Sequence, residues 1–265
     1  MINHSFAVLA YQDSPYLTAC LDSLLAQTIK SNIFIATSTP SHHLTSIAKE
    51  YGLDIYITQS GQGIAHDWNF GLNQARTKYV TLAHQDDLYL PEYTQRCLTA
   101  CEKFDDALIC FTGYSEIVGQ KLRTASVLLN VKRFILWMFM PIRKSIHNTF
   151  LKNLFLSFGC PIAAPSVMLN LEHLMGFQFS SAFSINMDWD AWSRIAKIEG
   201  RFVYVRNNLM IHRIHQDSAT TAGLQANARQ LEDQIMFKRF WPNIIAEIFA
   251  KVYARSYASN KNKSG

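Results

Sequence analysis

In this chain of 265 residues, the cluster with the clearest capacity for chemistry is His84-Gln85-Asp86-Asp87-Leu88. It begins where the apolar run from Tyr79 to Ala83, which reads as a buried strand, comes to its end. Adjacent carboxylates at such a point can bind a hard divalent cation through oxygen. A cation held there can neutralise a diphosphate and stabilise it as a leaving group. The same pair can equally form a solvated turn whose Asp side chains cap a helix starting near Pro91. Taken alone, the pair leaves both readings open.

The elements that would position this cluster alternate between strand and helix. Phe6 to Tyr11 reads as a short buried strand. Asp13-Ser14-Pro15 opens a helix with proline near its first position, and Leu17, Cys20, Leu21, Leu24 and Leu25 give it one apolar face. Ile33 to Thr37 is the second strand. Leu44, Ile47, Ala48 and Tyr51 mark the next helix, capped by Gly52. A third strand runs from Asp54 to Thr58. The Gly61-Gln62-Gly63 turn then leads into a helix carrying Ala65, Trp68, Leu72 and Ala75. Tyr79 to Ala83 is the fourth strand and Ala107 to Thr112 the fifth. This order implies an α/β fold with a mostly parallel central sheet flanked by helices. Ligands of such sheets gather at the carboxyl ends of the strands, where His84 to Asp87 falls.

The second half is less regular. Expected there are a strand from Ser166 to Leu169, a helix following Asp188, and strands near Arg201 to Val205 and Leu209 to Arg213. Leu224 to Tyr257 has helix-compatible composition, and Ser259 to Gly265 reads as disordered. The organisation read from this is 1–115, 116–220 and a helical tail over 221–265.

From Ile117 to Leu171 there is no Asp or Glu, while Lys121, Arg123, Lys132, Arg133, Arg143, Lys144 and Lys152 supply positive charge. Phe134-Ile135-Leu136-Trp137-Met138-Phe139-Met140 lies among them. Such a stretch can lie on an anionic membrane, with cations at the headgroups and apolar residues in the interface. It can also form core helices with a solvated basic edge. The long absence of acid favours the membrane.

With 49% hydrophobic and 17% charged residues, wholesale disorder is excluded. The net charge of +5 suits phosphates or anionic lipid and argues against a nucleic-acid partner. Cys20, Cys97, Cys101, Cys110 and Cys160 form no CxxC pair, which argues against a disulfide framework and a Cys-rich zinc site. Met1 to Ser5 lacks the basic start of a signal peptide, and no stretch is apolar enough to span a bilayer. A cytoplasmic setting is expected, peripheral at most on the inner face of the cell membrane.

Several segments together resemble family 2 glycosyltransferases. Phe6 to Asp13, with Tyr16-Leu17 and Cys20 to Thr28, is similar to that family's opening strand and first helix. Gly61-Gln62-Gly63-Ile64-Ala65, then Asp67-Trp68-Asn69-Phe70-Gly71-Leu72, resembles its glycine-to-Asn helix. Gln85-Asp86-Asp87 followed by Pro91 is similar to its DXD region, and Asp188-Trp189-Asp190-Ala191-Trp192 with Arg194 to its late acidic motif. His212-Arg213-Ile214-His215, with Ser218, is similar to its Arg-x-His segment. The order and spacing of these motifs make the resemblance specific from Ser5 to about Phe111, and it is patchy from there to Thr220.

The resemblance implies a GT-A nucleotide-diphospho-sugar transferase fold with a less regular acceptor side. It implies an inverting, metal-dependent enzyme passing a sugar to a saccharide or lipid-linked acceptor, in surface polysaccharide synthesis. Asp86, Asp87 and His215 would be at the metal, Mg²⁺ or Mn²⁺. The donor side would be formed by Ala10, Tyr11, Asp13, Thr37, Gly63, Asp67, Asn69, His84 and Gln85, with Tyr11 at the base. A local hydrogen bond to the glycine turn is the alternative for Asn69. Asp188 would be the general base, with Asp190 as the alternative and a helix N-cap as the plain structural role. Three departures stand out. Thr37-Ser38-Thr39-Pro40 replaces the acidic pair that reads the base, so uridine specificity is not implied. His84 replaces the first Asp of the DXD region, and Met187 a common Glu.

Two rival readings stay open on the sequence. Ala83-His84-Gln85-Asp86-Asp87 is also similar to the His-Pro-Asp-Asp motif of zinc-dependent sugar N-deacetylases, with His212 and His215 able to complete a zinc site. That motif follows a first strand, whereas here three strands precede it. The other rival is a non-catalytic nucleotide-binding subunit of a glycan assembly complex.

Overall fold

The computed structural model describes residues 2–59, 63–142, 144–215 and 226–261. Strands β1 (His4–Ala10), β2 (Asn32–Thr37), β3 (Asp54–Ile57) and β4 (Tyr79–His84) alternate with α1 (Leu17–Leu25), α2 (His42–Glu50) and α3 (Ile64–Gln74). Then come β5 (Leu88–Tyr89), α4 (Tyr93–Cys101), β6 (Ala107–Val118), β7 (Lys121–Arg123) and α5 (Val127–Phe139). β8 (Ser145–Ile146), α6 (Thr149–Leu156), β9 (Val167–Asn170), α7 (Met187–Ile195) and β10 (Arg201–Ile214) complete the sheet and its cover. Two helices follow, α8 (Ala226–Lys238) and α9 (Asn243–Lys261).

All ten strands among the described residues join one sheet, whose main path runs β3-β2-β1-β4-β9-β6-β10-β5. β1 is parallel to β2 and β4, β2 to β3, and β6 to β10. β9 is antiparallel to both neighbours, β4 and β6, so those two point the same way. The sheet is therefore mostly parallel, as expected, with one reversed strand at its centre. β1 is buried along its whole length, as a strand covered on both faces must be. The apolar stripe of α1 packs on one face beside Phe6 and Val8, while Ala7, Leu9, Trp68 and Leu72 belong to the core on the other. Gly71 is what lets α3 lie so close to β1: a Cβ there would sit 2.7 Å from the Leu9 Cδ2.

Several boundaries differ from the sequence reading. The two strands expected near 201–205 and 209–213 are one long strand, β10, which absorbs a register shift between Val205 and Asn208. α9 continues through Ser259 to Lys261, where disorder was expected. Lys152, counted among the surface cations of the basic stretch, is buried, and its ammonium donates to the carbonyls of Ile198 and Gly200 at 2.6 and 2.8 Å. All five cysteines are buried free thiols. No helix among the described residues is long and apolar enough to cross a membrane.

Candidate active site

The site forms where the parallel strands end. β4 carries His84 as its last residue, and the turn after it holds Gln85, Asp86 and Asp87. Gln85 fastens this turn to the end of β1. Its amide nitrogen donates to the Tyr11 carbonyl at 2.8 Å and its amide oxygen accepts the Tyr11 N–H at 3.2 Å. The side chain of Tyr11 itself is exposed. The next residue, Gln12, has a φ of 56°, and its N–H donates to the Thr39 hydroxyl at 2.6 Å.

Both carboxylates meet histidines delivered by the far end of β10. Asp87 is fully buried and its Oδ1 accepts from His212 Nδ1 at 2.9 Å and from the Arg213 N–H at 3.0 Å. Burial alone would hold the His212 imidazole neutral, but the Asp87 charge outweighs it and pushes the pKa up to about 9. Burial likewise opposes the Asp87 charge, and His212 outweighs it, so Asp87 stays below the usual carboxylate value. Asp86 Oδ2 lies 2.8 Å from His215 Nε2. Arg213 donates to the Asp86 carbonyl at 3.0 Å and stacks over Tyr16, whose ring also meets His215. Neither Asp caps α4, whose N-terminus has no side-chain cap. The solvated-turn reading of the pair is thereby displaced.

His84, Asp86 and Asp87 present ligand atoms within 4.8 Å of one another. His84 Nε2 and Asp87 Oδ2 are buried without a hydrogen-bond partner. Buried polar atoms left unpaired are costly, and a divalent cation would satisfy this donor set of carboxylate oxygens and imidazole nitrogen. The residues present thus fit a metal.

The other residues expected on the donor side fall at or just past the ends of β1 and β2 and in the first turns of α3. Ala10 and Thr37 end β1 and β2, and Asp13 accepts from the Ser41 hydroxyl at 2.5 Å. Gly63 precedes α3 with a φ of 96°, a conformation suited to glycine. Gly61, Gln62 and Ser218 lie outside the described residues. Asp67, in the first turn of α3, is raised above the ordinary carboxylate value by burial and eased back by a hydrogen bond from Ser38; its Oδ1 is buried and unpartnered. Asn69 is used elsewhere. Its amide donates to the Phe179 carbonyl at 2.9 Å and accepts the Phe179 N–H at 2.7 Å.

The two acidic residues of α7 have different surroundings. Asp188 is in the first turn, with Asn186 rather than Asp188 at the N-cap. Its Oδ1 accepts the Trp189 N–H at 2.7 Å, and the Cys160 thiol approaches Oδ2 at 3.8 Å. Burial raises its pKa, opposed by Lys132 and Arg229. Trp189 and Trp192 anchor the helix, their indole N–H groups donating to Leu156 and Ile162 carbonyls. Asp190 is buried and clamped by Arg194 at 2.8 Å and Arg239 at 2.6 Å. Both its oxygens are thus engaged.

Residues on α8 that the sequence reading passed over hold this region. Glu232 accepts the main-chain N–H groups of Ser184, Ile185 and Asn186 at 2.8, 2.9 and 2.8 Å. Asn186 in turn donates to the buried Asp233 at 2.7 Å. Their only sequence signal was an adjacent acidic pair in a helical tail.

Comparison with known proteins identifies the family and agrees with this fold. The family description Glycosyl transferase family 2 matches residues 5–171. An uncharacterized glycosyltransferase of Rickettsia typhi is 24% identical over 253 residues, spanning 92% of this chain and 72% of that protein. Among solved structures, S. aureus TarS 1-349 in complex with UDP-GlcNAc superposes with a TM-score of 0.68 at 11% identity, covering 98% of this chain and 74% of that one. The mannosyltransferase PcManGT from Pyrobaculum calidifontis, in complex with GDP-Man and Mn²⁺, gives 0.60 at 13% identity, covering 97% and 75%. Together with the sheet order and the acidic turn after β4, these matches establish that the chain belongs to glycosyl transferase family 2 and is a glycosyltransferase of the GT-A fold.

Proposed function

We propose that the protein transfers a glycosyl group, with inversion, from a nucleoside-diphosphate sugar to a hydroxyl of a saccharide or lipid-linked acceptor in surface polysaccharide synthesis. The observation that carries this is the pairing of Asp86 with His215 and of Asp87 with His212 at the carboxyl end of the sheet. Asp86, with His84, Asp87 and His215 beside it, would hold Mg²⁺ or Mn²⁺, whose charge offsets that developing on the diphosphate leaving group.

Residues 1–115 supply the donor side. Tyr11, exposed at the end of β1, meets the nucleotide base. Asp67 stands beside Ser38, where the acidic pair of the family is replaced, and its unpartnered Oδ1 is placed to accept a base or ribose donor. Residues 116–220 supply the acceptor side, with residues 221–265 as the helical tail that braces it.

Asp188 is the general base. A carboxylate oxygen takes the acceptor hydroxyl proton as that oxygen bonds to the anomeric carbon. The bond from that carbon to the diphosphate oxygen breaks, its electron pair leaving with the diphosphate. Burial raises the proton affinity of Asp188, which brings it toward the range a general base needs. Asp190 is left a structural role by its two arginines.

Proton NMR of the transfer product tests the reading. An anomeric configuration opposite to that of the donor, with turnover lost in Asp188→Asn, is the expected result. Retention of configuration contradicts inversion, and nucleotide binding without turnover under any acceptor favours the non-catalytic subunit.

A further inference from the structure

α5 and α9 pack against one another, and each turns an apolar face to solvent. On α5 this face carries Val127, Phe134, Trp137 and Met138, with Phe134 and Trp137 stacked at 5.9 Å. On α9 it is Ile244, Ile248 and Val252, one helical turn apart, exposed at 77%, 55% and 58%. Trp137 is 64% exposed and Ile142, just past α5, 86%. A single exposed apolar residue needs no explanation, but several on each of two helices that pack together point to a contact surface.

The distribution of charge names the partner. Residues 117–171 carry seven Lys or Arg and no acid, and residues 234–265 carry six against the single acid Glu247. The rest of the chain carries twelve against nineteen. A modest +5 therefore conceals a molecule whose two apolar-faced segments are strongly basic and whose remainder is acidic. Some of these cations are occupied internally, Lys152 on carbonyls, Arg123 on Glu116 and Arg239 on Asp190. Lys121, Lys144, Lys238, Lys251 and Arg255 are exposed. Exposed aromatic and aliphatic side chains on segments rich in exposed lysine are what an anionic bilayer surface accepts, and an acidic remainder is repelled from it.

We infer that the joined face of α5 and α9 docks the enzyme on an anionic lipid surface. Lys132 on α5 donates to the Tyr114 hydroxyl at 2.9 Å and acts electrostatically on Asp188. One helix thus carries the proposed lipid contact on its outer face and, on Lys132, a charge that acts on the proposed base. Docking stands on its own observations and is read without turnover, so its failure leaves the donor and base assignments intact.

Flotation with vesicles of phosphatidylcholine alone, and of phosphatidylcholine mixed with phosphatidylglycerol, tests it. The full chain floats with the mixed vesicles, not with the neutral ones, and salt releases it. Trp137→Glu combined with Ile248→Glu lowers affinity for the mixed vesicles by about ten-fold or more, with the melting temperature monitored as a check on folding. Lys144→Glu with Lys251→Glu, which leaves the apolar residues in place, costs about ten-fold. Protein that stays at the bottom of the gradient, that binds neutral and anionic vesicles equally, or that floats undiminished with both pairs of substitutions overturns the proposal. A dimer in sedimentation equilibrium, broken by the apolar pair and accompanied by no vesicle binding, assigns the face to a second copy instead.

Discussion

Asp86 and His215 lie 129 residues apart in the chain and meet at 2.8 Å. The contact joins the turn after β4 to the far end of β10, the strand that also brings His212 to Asp87. The two histidines are not equivalent. Both face carboxylates of the proposed metal set, but Asp86 keeps some exposure to solvent beside His215, whereas Asp87 beside His212 has none.

Substitutions at the two histidines are therefore expected to separate. His215→Ala weakens metal-dependent nucleotide binding by about ten-fold and leaves the fold intact, since Asp86 can be solvated. His212→Ala strands a buried charge and costs about 3 kcal/mol of stability. Urea melts alongside calorimetric titration of nucleotide check both; equal loss of stability in the two variants contradicts the division.

For α7, Asp188→Asn is expected to lower kcat by about a thousand-fold with donor binding unchanged. Because burial holds the Asp188 pKa above its ordinary 3.8, wild-type kcat/KM falls with decreasing pH through a value above that figure. Asp190→Asn instead removes the carboxylate shared by Arg194 and Arg239, which keep the Gln178 carbonyl and the Ser193 hydroxyl, and acts mainly on stability, by about 1 kcal/mol or more. Rate profiles against pH and unfolding curves of both variants distinguish base from clamp.

Glu232 accepts three consecutive amides just before α7 and is expected to act by positioning that helix. Glu232→Gln removes the charge and one acceptor oxygen. The expected result is a kcat lower by about ten-fold at unchanged donor KM, since small misplacement of a base is costly. A KM effect alone, measured by steady-state kinetics, would place Glu232 elsewhere in the mechanism.

Asp233 gives a stability prediction with a defined sign. Burial pushes its pKa up to about 6 from 3.8, partly offset by the Asn186 hydrogen bond and Arg229. A folded-state pKa above the unfolded one adds stability that is complete below the unfolded value and lost as pH rises through the folded one. Relative to Asp233→Asn, the wild type should lose stability between about pH 4 and 6 and stay lower above that. Parallel thermal melts across this interval check it, and a constant difference at every pH contradicts it.

Much of residues 1–115 was legible in the sequence because its contacts are local or follow strand order. Gly71 under Leu9 and the acidic turn after β4 are both of this kind. What stayed hidden depends on side chains meeting main chain far away. The bonds of the Asn69 amide to the main chain of Phe179, 110 residues on, are of this kind. Nothing in the composition around Lys152 distinguishes a surface cation from one buried on two carbonyls. The reversed strand β9, which needs only four residues, carries too short a pattern to announce its direction.

The most direct measurement is thermal stabilisation by UDP, GDP, dTDP and CMP, with and without Mn²⁺, on the wild type and Asp86→Ala. Stabilisation by one nucleoside diphosphate, dependent on Mn²⁺ and abolished by Asp86→Ala, is the result predicted. Stabilisation that is indifferent to Mn²⁺, or that survives the loss of the Asp86 carboxylate, contradicts a metal-held diphosphate at this site.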